Sequence, residues 1–169
     1  MLEIINSLHL FFQDCYQRYG VREYARKMHI SPPTASKLLH TYEKRGLLKK
    51  EKERQYIFYF ANKDSILFIQ FSHIYWHNQL QDLIKYLEQQ TLNPTLILFG
   101  SLAKAEVNAN SDIDLAIFAA KKDLSLKPFE KKLKRNIQLF WFPSLTEIKN
   151  KELANNILNG HILLGKISL

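Results

Sequence analysis

The segment Thr95–Phe118, TLILFGSLAKAEVNANSDIDLAIF, decides the reading of the C-terminal part of this 169-residue chain. Leu96 to Phe99 form a short apolar strand that ends in Gly100-Ser101. A Gly-Ser at a strand end, opening a helix, leaves backbone N–H groups and a hydroxyl free to face an anion. After a spacer of ten residues come Asp112-Ile113-Asp114 and the apolar run Leu115 to Ala120. In a strand, positions 112 and 114 share one side and Ile113 takes the other. Two adjacent carboxylates repel unless a cation lies between them, so Asp-x-Asp at a strand start suits a hard metal such as Mg²⁺ bridging phosphates.

Each piece has a plainer reading, since Gly-Ser pairs end many strands and Asp-x-Asp often caps a loop. The order strand, Gly-Ser, ten residues, Asp-x-Asp, strand is far more specific. It resembles the minimal nucleotidyltransferase family of the polymerase-β-like fold, with Ser111 completing the usual SDIDL; the likeness spans about residues 65–169. The resemblance implies that Gly100 and Ser101 hold a triphosphate, that Asp112 and Asp114 hold two Mg²⁺ ions, and that a nucleoside monophosphate passes from an NTP, ATP by expectation, to a hydroxyl. Lys104, the one cation in the loop after Gly-Ser, is then the expected triphosphate contact; Glu106 sits in the same loop without a spacing that demands a role. The family carries a third carboxylate on the next strand. That strand reads as Asn136–Phe140, and Gln138 stands in the acidic place. An amide coordinates weakly and cannot serve as a base near neutral pH.

Asp123 to Arg135 read as a highly charged helix, Glu147 to Asn159 as a last helix and His161 to Leu164 as a closing segment. Phe140, Trp141 and Phe142 fit core packing better than base stacking. Upstream, Ser65 to Gln90 read as one long helical stretch joining two halves. His73 and His77 lie four apart on it, on one helix face. A zinc motif wants a third ligand and a neighbouring Glu, and neither is there, so two ordinary helix histidines are expected.

The N-terminal third is the more basic part: residues 1–63 hold 12 Lys+Arg and 6 Asp+Glu, out of 24 and 16 in the whole chain. That excess points to a polyanion. Leu2–Tyr16 and Val21–Met28 read as amphipathic helices. Ser31 is an N-cap with Pro32 in the first turn, and Pro33–Arg45 form a third helix with Gly46 as its C-cap. Leu47–Lys49 and Tyr56–Phe60 read as strands around the charged Lys49–Arg54. The stretch REYARKMHISPPTASKLLHTYEKRGLLKK resembles a winged helix-turn-helix. The resemblance implies a third helix in the major groove of duplex DNA, offering Thr34, Ser36 and Lys37, and a phosphate-clamping wing of Lys49, Lys50, Lys52 and Arg54. Winged helices also dock proteins, so both roles stay open.

The expected architecture is therefore α/β (α+β): a winged helix-turn-helix over 1–63, then a nucleotidyltransferase domain over 64–169 with a leading linker helix, a short mixed sheet and flanking helices. Two functions follow. One is an Mg²⁺-dependent transfer of AMP to a macromolecular acceptor. The other is a catalytically silent DNA-binding regulator whose second domain senses nucleotide or docks a partner. By resemblance, a protein partner of the HEPN class from toxin–antitoxin pairs is implied, with an antitoxin-like role; a homodimer through Ile66–Leu87 is an open alternative. The uncharged stretch Ser65–Gln81 is interrupted by polar residues and does not read as membrane-spanning. The single Cys15 makes no internal disulfide, and the N-terminus has an early Glu3 and no basic leader, so a cytoplasmic protein is expected.

Overall fold

A computed structural model describes residues 2–167. The chain divides into two compact units. The first runs to Ser72 and includes Ala105–Ala109; the second takes His73–Lys104 and continues from Asn110.

In the first unit the order is α1 (Leu2–Gln13), β1 (Tyr19–Gly20), α2 (Val21–Met28), α3 (Pro32–Lys44), β2 (Leu48–Glu53) and β3 (Tyr56–Ala61). The apolar stripe of α1 buries Leu8, Phe11 and Phe12, and the Tyr24 hydroxyl of α2 donates to the Ser7 carbonyl at 2.7 Å. Ser31 caps α3 as expected: its Oγ accepts from the Thr34 N–H at 3.3 Å. Helix α3 buries Ala35, Leu39 and Tyr42, leaving Thr34, Ser36 and Lys37 exposed. Two points depart from the sequence reading. The charged run is not a loop between strands: it is most of β2, paired residue for residue with β3 from Leu48↔Ala61 to Glu53↔Tyr56. An edge strand with water on one side tolerates charge, and the chain reverses at Arg54, whose φ is 55°. The second is β1, two residues long, which pairs with β3 and gives the sheet order β1-β3-β2.

Residues 65–90 are two helices, α4 (Ile66–Gln79) and α5 (Gln81–Gln90), with Leu80 between them. The second unit continues with β4 (Thr95–Phe99), the single turn α6 (Gly100–Ala103), β5 (Ile113–Phe118), α7 (Lys127–Leu133), β6 (Ile137–Phe142), a 3₁₀ turn at Leu145–Glu147, α8 (Lys151–Leu158) and β7 (His161–Leu164). The charged helix is thus shorter than expected, because the chain from Ala119 to Leu126 is loop. The last helix starts at Lys151, where the Asn150 side chain accepts from the Leu153 N–H at 3.1 Å.

The four strands run β6-β5-β4-β7, with β5 and β6 parallel and the other pairs antiparallel. Strand alternation puts Ile97, Phe99, Ala116, Phe118, Phe140 and Phe142 on one face, where they pack with Ile148, Leu153 and Ile157. Leu96, Leu98, Leu115 and Ile117 go to the other face and are fully buried. Phe140 lies edge-on to Phe99 at 5.2 Å between ring centres and Phe142 lies 6.0 Å from Phe118, so core packing is what these rings do. Among the described residues, no helix is long and apolar enough to cross a membrane.

Candidate active site

The core face of the second sheet becomes polar at one end. Phe99, Asp114 and Gln138 are cross-strand partners on β4, β5 and β6, so the Asp114 carboxylate and the Gln138 amide stand side by side. Asp112, just before β5, completes the group. Its Oδ2 accepts from Gln138 Nε2 at 2.7 Å and its Oδ1 from Asn136 Nδ2 at 3.1 Å. Arg135 Nη1 donates to the Ser111 carbonyl at 2.6 Å and fixes the backbone just ahead of Asp112.

Gly100 borders this group. Its φ is 70°, in the left-handed region, and a Cβ there would collide with the Asp114 carboxylate. The backbone conformation favours glycine, and a side chain there would displace the Asp114 carboxylate. The turn α6 follows at once and carries Ser101, half-buried. Lys104 closes the turn, exposed, with Nζ donating to Asn156 Oδ1 at 3.1 Å.

The electrostatics favour a cation. Burial pushes the Asp114 carboxyl above the usual carboxylate range, and the neighbouring Asp112 charge pushes it further the same way. Asp112 accepts from the neutral amides of Asn136 and Gln138. Two carboxylates and an amide oxygen suit one hard divalent ion, so the residues fit Mg²⁺. No group of three His, Cys, Asp or Glu side chains is placed to hold a metal among the described residues.

The structure thus brings together Gly100, Asp112 and Asp114, with Ser101 in the adjoining turn and Gln138 beside the two carboxylates. Asn136 was missed as a side chain of this site. The sequence placed it at a strand start, but only the parallel pairing of β5 with β6 turns its amide onto Asp112. On β7, His161 meets the two histidines of α4. It stacks on His73 with ring centres 4.5 Å apart, His77 lies 6.3 Å from it, and His73 Nε2 donates to the Ala103 carbonyl at 2.6 Å. Burial first, then His73 and His77, hold the His161 imidazole below its ordinary value.

In the first unit, the residues expected to meet DNA are exposed but not equally free. Lys49 pairs with Asp64 at 2.6 Å and Lys50 with Glu43 at 3.2 Å, while Arg18 pairs with Glu51 at 2.9 Å. The Thr34 hydroxyl is 2.8 Å from that of Ser31. Lys37, Lys52 and Arg54 have no ion-pair partner among the described residues. Exposed pairs of this kind contribute about 0–1 kcal/mol and are easily exchanged for a phosphate.

No curated protein and no solved structure matches the chain. The family model described as polymerase beta, nucleotidyltransferase matches residues 81–167, which takes in β4, the Gly-Ser turn, both aspartates, Gln138 and β7. That stretch is more than half of the sequence, and with it the chain belongs to the polymerase-β nucleotidyltransferase family.

Proposed function

We propose that the second unit binds an Mg²⁺-nucleoside triphosphate, ATP by preference, and transfers its nucleoside monophosphate to a hydroxyl of a macromolecular acceptor. The observation that carries this reading is the Asp112–Asp114 pair set against a glycine that must stay bare. Asp112 and Asp114 would hold Mg²⁺, two ions in the active state; once bound, it neutralises the triphosphate and the charge that develops in transfer. Gly100 lets the backbone approach closely, Ser101 offers its hydroxyl to a phosphate oxygen, and Lys104 can leave Asn156 to do the same. Gln138 takes no proton at neutral pH, so the acceptor's proton goes to solvent rather than to a third carboxylate.

The first unit would serve as a winged helix on duplex DNA. Its support is the capped α3, the β2–β3 hairpin and the unpaired Lys37, Lys52 and Arg54. A partner of the HEPN class and an antitoxin-like role rest on the family resemblance alone. A second reading is favoured by one contact, the 2.7 Å bond from Gln138 to Asp112. With an amide there, the unit would bind nucleotide without turnover and act as the sensor of a DNA-bound regulator.

Label transfer from α-³²P-ATP with Mg²⁺, with the protein alone and with cell lysate, beside Asp112→Asn, separates the two. A labelled acceptor absent in the variant supports transfer. Mg²⁺-dependent nucleotide binding without label supports the sensor, and absence of binding refutes both. For the first unit, a salt-dependent mobility shift of duplex DNA should be lost in Lys37→Ala/Arg54→Ala; an undiminished shift would refute those contacts.

A further inference from the structure

Strand β6 is an edge of the second sheet, and it lacks the devices that normally protect an edge. Ile137–Phe142, IQLFWF, contains no charge and no proline, and its pairing with β5 runs without a bulge from Ile113↔Ile137 to Phe118↔Phe142. Its backbone groups alternate. The Asn136 and Phe142 carbonyls accept from Ile113 and Ala119, toward β5, at 2.9 and 3.1 Å. The Ile137 N–H points outward and donates to Glu130 Oε1 at 3.2 Å. By the same alternation, the N–H and C=O groups of Leu139 and Trp141 lie on the outer edge. No hydrogen bond closes that edge at either residue among the described residues.

A groove of about 560 Å³ runs beside the edge, lined by Lys121, Lys122, Leu124, Leu126, Trp141 and Leu153 among others. An apolar trough alongside a row of free backbone donors and acceptors fits an extended chain. Charge selects its kind. The groove lining carries Lys121 and Lys122 against one carboxylate, Asp123, and Lys127 and Lys131 follow in the sequence. A second copy would bring the same positive charge to the seam and be repelled. A nucleic acid would match the charge but leave the peptide groups and the apolar trough unused.

We propose that the β6 edge is the docking site for an acidic, extended polypeptide segment of a partner protein. The segment adds to the sheet as a further strand, pairs with the backbone of Leu139 and Trp141, seats apolar side chains in the groove and sets carboxylates against Lys121 and Lys122. This surface does not depend on any chemistry at Asp112 and Asp114.

The test is fluorescence anisotropy of the full chain with a labelled, end-blocked peptide of alternating Glu and Val. Binding is expected, weakened about tenfold or more in Lys121→Glu/Lys122→Glu, whose side chains are exposed and leave the fold alone. Trp141→Glu should weaken it similarly, and Asp112→Asn should bind as the parent does. Methylating the peptide's backbone nitrogens at Val only, or at Glu only, should abolish binding in one set and spare the other, because one edge uses alternate N–H groups. Three results would overturn the proposal: no binding up to about 1 mM, equal binding of both methylated peptides, or binding of oligo-dT at this edge in place of the peptide. A dimer by sedimentation that Trp141→Glu dissolves would assign the edge to a second copy and overturn it as well.

Discussion

Replacing Gln138 by Asp would set a third carboxylate beside Asp112 and Asp114 and should make the second unit depend on Mg²⁺ for stability. Gln138 Nε2 now donates to Asp112 Oδ2 at 2.7 Å. Asp is one methylene shorter, so the two carboxylates would sit roughly 4–5 Å apart, a repulsion of about 3–4 kcal/mol at an effective dielectric near 20. Gln138 is exposed, and screening and rotation toward water reduce that to about 1–2 kcal/mol. Loss of the hydrogen bond to the Asp112 carboxylate adds about 1 kcal/mol. The expected penalty in EDTA is therefore about 2–3 kcal/mol, or roughly 4–10 °C in melting temperature. Ion binding at about one hundred times its dissociation constant contributes about 2.7 kcal/mol and should offset it. Calorimetric melting of parent, Gln138→Asp and Gln138→Leu, each in EDTA and in saturating MgCl₂, tests this. Leu removes the hydrogen bond without adding charge, so it should lose only the smaller part and gain nothing extra from Mg²⁺. If Gln138→Asp melts with the parent in EDTA, or gains no more from Mg²⁺ than the parent, the placement of Gln138 against the aspartates is refuted.

Gly100→Ala should cost about 1–3 kcal/mol, from the left-handed backbone and the collision with Asp114, and abolish Mg²⁺-nucleotide binding; urea denaturation and a nucleotide titration check both. Asp114→Asn should stabilise the metal-free protein at neutral pH. The carboxyl is raised in the fold, so its ionisation costs stability above the carboxylate range, and the variant's advantage should vanish as pH falls below the unfolded value. A urea midpoint that does not rise at neutral pH would contradict this. His161 has the opposite sign. Its imidazole is depressed, so its contribution is present above about pH 6.5 and is lost as pH falls toward the lower folded value. Melting from about pH 7.5 to about 5.5 should show that loss, and His161→Gln should flatten it.

Much of the fold was legible because its signals are local. The Ser31 cap with Pro32 behind it, the apolar run into Gly100-Ser101 and the alternation around Ile113 are each written within a few residues. Where the reading missed, the deciding interaction lay outside the segment. The Lys-Glu run after Leu48 has no strand pattern of its own, and it is a strand because the apolar β3 pairs with it. The helical periodicity of residues 65–90 runs through Leu80 without a break signal, yet α4 ends at Gln79 and α5 begins at Gln81, with Leu80 between them completely buried. Asp123 to Arg135 has the charge of a solvated helix, but only Lys127–Leu133 coils. There Tyr86 of α5 meets Phe129, and Lys132 pairs with Asp82.

The candidate site divides along the same line. The sequence by itself determined which atoms are available: two carboxylates in Asp-x-Asp, a glycine at a strand end, and an amide on the next strand. Chemical identity and spacing along a strand are enough for that. Only the tertiary structure decided that Gln138 lies across from Asp114, that Asn136 turns onto Asp112, and that a side chain at position 100 would strike a carboxylate. These are contacts between strands that are distant in sequence. Register between strands is set by packing of the whole apolar face, where a slip of one residue would turn Phe140 and Phe142 out of the core and carry Gln138 away with them.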